Sequence, residues 1–268
     1  MDSRRTTRNL NACWRNTHHR VEPLARFPQK GGFLTIRGIA VDVEGTIVNI
    51  EPAHHEGWIR AAAEIGVQIE SPEKAIELVP HFIGGPDRPI IEEIFALLPS
   101  SPKPSDEEVK KFLGRKWVHY EALLSAIDLS PRPGFLEALT EFRKLGLPVT
   151  LGTSVELERG LLLLKRSGLD KLFLLHHIVL PTDVENSKPA PDCFLETARR
   201  MGISPSEQLV FEDSPRGVKS GVAAGSPVVG MPVYDNEKAK RDLLAAGVAR
   251  IFTDWRQIIV GDLLQSFV

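Results

Sequence analysis

Two acids one residue apart, Asp42 and Glu44, close an unbroken apolar run in "IAVDVEGT". Further along, "PVTLGTS" ends on Thr153 and Ser154, and "QLVFED" ends on the pair Glu212 and Asp213. Most of these runs are apolar throughout rather than alternating, which suits strands covered on both faces. In open parallel sheets ligands bind beyond the carboxyl ends of the strands, so these groups, far apart in sequence, would meet at one edge. Carboxylates brought together repel and are costly to ionise unless a cation neutralises them. An all-oxygen cluster without His or Cys suits Mg²⁺, which binds through one or two carboxylates and a substrate phosphate. A threonine hydroxyl and a lysine nearby would complete a phosphate cradle. The lysine is available as Lys188 in "ENSKPAPDCF", on a stiff mount because Pro189 and Pro191 each fix their own backbone angle and restrict the residue before them.

The elements that must position these residues follow an α/β pattern. Strands are expected at residues 38–43, 148–153, 176–181, 208–213 and 226–231, with helices between them such as 134–145 and 192–201. That arrangement predicts a Rossmann-like parallel sheet. About a hundred residues separate the first strand from the second, too many for one crossover helix, so a module is inserted there. Residues 52–130 read as helices: "AHHEGWIRAAAEIG", "SPEKAIELVPHF", "DRPIIEEIFALL" and "SDEEVKKFLGRKWVHYEALLSAI", the last opening on a Ser105 to Glu108 capping box. The chain returns through "SPRPG", residues 130–134, a stiff turn suited to a hinge. The expected organisation is a basic arm at 1–34, a core at 35–51 and 131–268, and a helical cap at 52–130.

Composition excludes several classes of partner. With 268 residues, 42% of them hydrophobic, and a formal net charge of -2, the chain has no global basic field, and nucleic acid is not expected to bind. Apolar runs fall short of the roughly 20 residues that cross a bilayer, so no membrane segment is expected. Two cysteines, Cys13 and Cys193, are too few for a disulfide framework and fit a reducing compartment. The expected location is cytoplasmic. The arm, with seven cations against Asp2 and Glu22, offers organelle targeting as the alternative, beside a plain disordered tail. Oligomeric state has no signature in the sequence.

The order "DVEGT", "LGTS", "SKPAPD" and "VFEDSPRG" resembles the four motifs of the haloacid dehalogenase superfamily. The inserted helices resemble the C1 cap of its β-phosphoglucomutase-like subgroup. The resemblance implies a Mg²⁺-dependent phosphatase acting on a small phosphorylated metabolite, a sugar phosphate among the candidates, through an aspartyl phosphate. It implies Asp42 as nucleophile, Glu44 as general acid and base, and Thr153 as the hydroxyl on the transferring phosphoryl group, with the adjacent Ser154 able to take that place. Lys188 would pair with nucleophile and phosphate. Mg²⁺ would be held by Asp42, the backbone carbonyl of Glu44, and Asp213 with Glu212 beside it. In the cap, His54 and Trp58 match the opening of the first helix, and the loop carrying Gly84, Gly85 and Arg88 falls where the subgroup reads its substrate, with Arg88 matching an arginine on substrate phosphate. The family usually carries aspartate where this chain has Glu44. That departure tilts the expectation from phosphomutase towards hydrolysis, and leaves a catalytically silent binding protein as a third reading. Dehalogenase chemistry, which needs no Mg²⁺, is disfavoured by Glu212 and Asp213.

Overall fold

A computed structural model describes residues 35–83, 85–100 and 102–267. The basic arm at 1–34 and Gly84 lie outside the described residues. The described residues open with β1 (Gly38–Asp42) and pass through four helices, α1 (Glu51–Glu64), α2 (Pro72–Leu78), α3 (Asp87–Ala96) and α4 (Asp106–Ala126). The chain then alternates α5 (Phe135–Lys144), β2 (Val149–Gly152), α6 (Leu157–Ser167), α7 (Leu169–Leu172), β3 (Ile178–Val179), α8 (Asp192–Met201), β4 (Gln208–Glu212), α9 (Pro215–Ala223), β5 (Val228–Gly230), α10 (Glu237–Ala246), β6 (Arg250–Ile251) and α11 (Val260–Gln265).

The six strands form one parallel sheet in the order β3-β2-β1-β4-β5-β6. Alternate residues of β1 serve opposite faces. Ile39 and Val41 join Leu209, Phe211 and Val229 in a core with Phe135, Leu139 and Phe142 of α5. Ala40 joins Val210 and Val228 on the other side, under Phe194 of α8, Val218 of α9 and Leu243 of α10. Both faces are covered, which is why the strand sequences are apolar without alternation. The four inserted helices build a separate cluster from Trp58, Ile76, Ile91, Ile94 and Phe112. Tyr234, from the loop after β5, packs against it.

Two strands differ from expectation. The run "HHIVLP" keeps only Ile178 and Val179 as strand, with 3₁₀ turns at Leu175–His177 and Pro181–Asp183. Among the described residues the edge strand β3 has only β2 for a partner, and Pro181 has no N–H to extend a ladder. β6 was not expected, because two half-exposed residues give no apolar run to read. The capping box of α4 forms, with Ser105 Oγ accepting from Glu108 N and the Glu108 carboxylate accepting from Ser105 N. Among the described residues no helix is long and apolar enough to cross a membrane.

Candidate active site

The strand order reverses between β1 and β4, and the carboxyl ends of those two strands carry Asp42 and Glu212. Asp213 follows directly. The three carboxylates offer oxygens within 4.8 Å of one another, and all three residues are buried. Lys188, buried beside them, donates to Asp42 Oδ1 at 2.5 Å and to Glu212 Oε1 at 2.9 Å. The other Glu212 oxygen, Oε2, accepts from Ser214 N and Oγ. Glu212 is therefore fully engaged, whereas Asp42 Oδ2 is buried without a hydrogen-bond partner among the described residues.

Glycines allow this crowding. Gly45, at φ +78°, turns the chain away from β1, and a Cβ there would lie 2.1 Å from Asp213 Oδ2. Gly217 of α9 lies so close to the Glu212 carboxylate that a Cβ would overlap it. Burial, with repulsion from Glu212 and Asp42, pushes the Asp213 carboxyl well above the usual range. Asp42 is pushed up mainly by burial, although the Lys188 charge draws it back. Burial disfavours the Lys188 ammonium, but Asp42 and Glu212 outweigh it and hold its pKa above that of an ordinary lysine. The one ammonium bonded into the cluster serves two of the three carboxylates, Asp42 and Glu212, and leaves one Asp42 oxygen orphaned among the described residues. Hard oxygen donors short of positive charge fit Mg²⁺.

Glu44 stands apart from that cluster. Thr153 Oγ1 lies 2.8 Å from both carboxylate oxygens of Glu44 and also accepts from Val155 N. Burial raises the Glu44 carboxyl to about 7, against the opposing pull of the Thr153 hydrogen bond and the Lys188 charge. The two candidate hydroxyls therefore separate: Thr153 is committed to Glu44, and Ser154 lines the cavity in front of the acids.

That cavity, of about 400 Å³, runs from the acidic edge of the sheet to the inserted helices. His54 lines it, with its ring against Tyr120 and Nδ1 2.9 Å from Lys116 Nζ. Trp58 lines it too while stacking on Phe112 in the cluster between the helices. Arg88 departs from expectation and is not part of the lining. It sits near the start of α3 facing outward, where its guanidinium pairs with Glu92 one turn on and with Asp106. Sequence reasoning missed Lys116, Arg159 and Arg216, which line the cavity. It also missed Arg132, which donates to the carbonyls of Gly45, Met231, Pro232 and Thr253. Local signals existed for two of them, Arg132 inside the hinge "SPRPG" and Arg216 inside the motif "VFEDSPRG".

A family model described as haloacid dehalogenase-like hydrolase matches residues 36–225. The fructose-1-phosphate phosphatase YqaB of Escherichia coli K12 is 30% identical over 192 residues, covering 72% of this chain and 94% of that protein. A phosphorylated carbohydrates phosphatase of Thermotoga maritima is 28% identical over 219 residues, covering 81% of this chain and 94% of that protein. Among solved structures, a protein of Deinococcus radiodurans with bound phosphate and sodium shares the fold at a TM-score of 0.68 and 24% identity, over 88% of this chain and 98% of that one.

Proposed function

The chain belongs to the haloacid dehalogenase-like hydrolases and is a phosphoric monoester hydrolase; from that premise we propose that it hydrolyses a small phosphorylated metabolite, with Mg²⁺, through an aspartyl phosphate on Asp42. The observation that carries this reading is Asp42 itself, held by Lys188 through one oxygen, with the other unpartnered among the described residues, at the point where the strand order reverses. The relatives named for fructose 1-phosphate and phosphorylated carbohydrates support a sugar phosphate as substrate.

In this reading Asp42 attacks phosphorus and the bond to the leaving oxygen breaks. Glu44, whose carboxyl is raised to about 7 and so keeps a protonated fraction near neutrality, gives its proton to that oxygen. Glu44 then takes a proton from the water that attacks the aspartyl phosphate, and inorganic phosphate leaves with Asp42 restored. Lys188 keeps positive charge beside the transferring group, and Ser154, which lines the cavity, supplies a hydroxyl to it while Thr153 holds Glu44. Asp42 and Asp213 would hold Mg²⁺, with the backbone carbonyl of Glu44, and Glu212 beside them would brace Lys188. Bound there, the ion would offset the charge of the carboxylates and of the phosphoryl oxygens. The inserted helices close the cavity and exclude water from the first step.

Phosphate release from p-nitrophenyl phosphate tests the reading. The wild-type chain should turn over with Mg²⁺ and stop when it is chelated, and Asp42→Asn should be inactive while keeping the wild-type circular dichroism spectrum. Undiminished turnover by Asp42→Asn would sink the proposal.

A further inference from the structure

The cavity wall facing the acids is positively charged. Lys116, on α4, is buried, yet its ammonium is held by an imidazole and three rings rather than by a carboxylate among the described residues. Nζ lies 3.5 Å from the Trp117 ring centroid, 4.8 Å from Trp58 and 5.2 Å from Tyr120. Burial lowers its pKa to about 8; Asp87 and Glu51 pull the other way without forming an ion pair with it, and Arg159 adds to the lowering. A buried cation without an anionic partner is costly, and a ligand that brings one recovers part of that cost.

Arg159 comes from the other body of the molecule, on α6 of the core, and rests on the same indole with its guanidinium carbon 4.2 Å from the Trp117 ring. Its carboxylate partner is Glu121 of α4, at 3.0 Å, whose side chain is 61% exposed. Such a surface pair contributes little to stability and is readily exchanged for another anion. Lys116, Trp117 and Arg159 all line the cavity.

We propose that Lys116 and Arg159, set about Trp117, form a seat for an anionic group on the part of the substrate remote from the transferred phosphate. The substrate is then a phosphate monoester with a second negative group, a carboxylate or another phosphate. The inference rests on the phosphatase reading and narrows its substrate class. Arg159 is a specificity-determining residue in it, because it reaches from the core to the cap and meets the leaving group only when both enclose it.

Matched substrates test the seat in the full chain with Mg²⁺. Phosphoglycerate is compared with glycerol phosphate, and a hexose bisphosphate with its monophosphate, so that the two arms separate carboxylate from phosphate. In at least one arm the more anionic member should have a kcat/KM about tenfold higher or more, the scale of one charge-assisted hydrogen bond. Arg159→Gln should bring that ratio towards one, chiefly through KM. Lys116→Met should do the same, and Arg159→Gln decides alone if the buried substitution does not fold. Thermal shifts of Asp42→Asn with the same four compounds rank binding independently of turnover. A chain that hydrolyses nothing therefore overturns the phosphatase reading while binding still decides the seat. Ratios near one in kinetics and binding, or a preference that survives Arg159→Gln, would overturn the inference.

Discussion

His54 is a histidine that stays neutral through the physiological range. Burial, and then the charge of Lys116, lower its pKa to about 3, against about 6.5 in an unfolded chain. Between those values the unfolded state binds the proton and the folded state does not, so stability rises with pH across the window and falls as the pH drops through it. The contribution is complete above about 6.5 and lost by about 3. Denaturant midpoints measured from pH 7 down to 4.5 should fall for the wild type, and His54→Gln should flatten that slope. A variant whose slope matches the wild type would show that His54 titrates normally. Neutral His54 is also what allows Nδ1 to accept from Lys116. At this scale the acids and Lys188 were legible in the sequence, because a carboxylate ending an apolar run and a lysine fixed by prolines are local patterns. Lys116 was not. It sits in "DEEVKKFLGRKWVHY" among Lys110, Lys111 and Arg115, where a helical lysine ordinarily faces water, and only packing against Trp58, Trp117 and Tyr120 turns it inward.

The elements around the hinge are tied by one side chain. The two crossings between sheet and inserted helices run side by side: Val48 bridges to Pro131, and Arg132 N donates to Ile47 O at 2.6 Å. The Arg132 guanidinium then reaches Gly45 O and Met231 O at 2.8 Å, Thr253 O at 2.8 Å and Pro232 O at 3.3 Å. It thereby joins the loops that follow β1, β5 and β6. Arg132→Met should cost about 3 kcal/mol, because several buried carbonyls lose a charged donor together. Chemical denaturation should register this as a lower midpoint at unchanged slope. A loss below about 0.5 kcal/mol would mean that water replaces the guanidinium. The stiffness of "SPRPG" could be read from its prolines, as could the α4 cap from Ser105 and Glu108, since both depend on near neighbours. The carbonyls that Arg132 serves come from loops about a hundred residues away, and no local pattern predicts them.

Across the whole molecule, the sheet and the inserted helices have separate apolar clusters, and the cavity lies between them. The α/β order was legible because apolar runs and helical repeats alternate along the chain, and the insertion because of its length. How the two parts face each other was not, since Arg159 on Trp117 and Tyr234 against His55 are contacts between segments distant in sequence. The pairing of β1 has a further consequence for the order in which the protein is made. Ile39 is opposite Val149, and Gly38 is opposite Gln208. At a synthesis rate of about 5–20 residues per second, β1 waits roughly 10 to 30 seconds for its second partner, while α1 to α4 are complete well before either partner strand exists. A ribosome-stalled chain ending near residue 165, with α4 clear of the exit tunnel and β2 still inside it, should resist pulse proteolysis within the inserted helices and be cut readily around β1; equal sensitivity of the two would show that the helices also wait for the sheet. Asp42 would then be among the first parts of the site to leave the ribosome and among the last to be set in place, and until β4 arrives its strand is an apolar edge for a chaperone to cover.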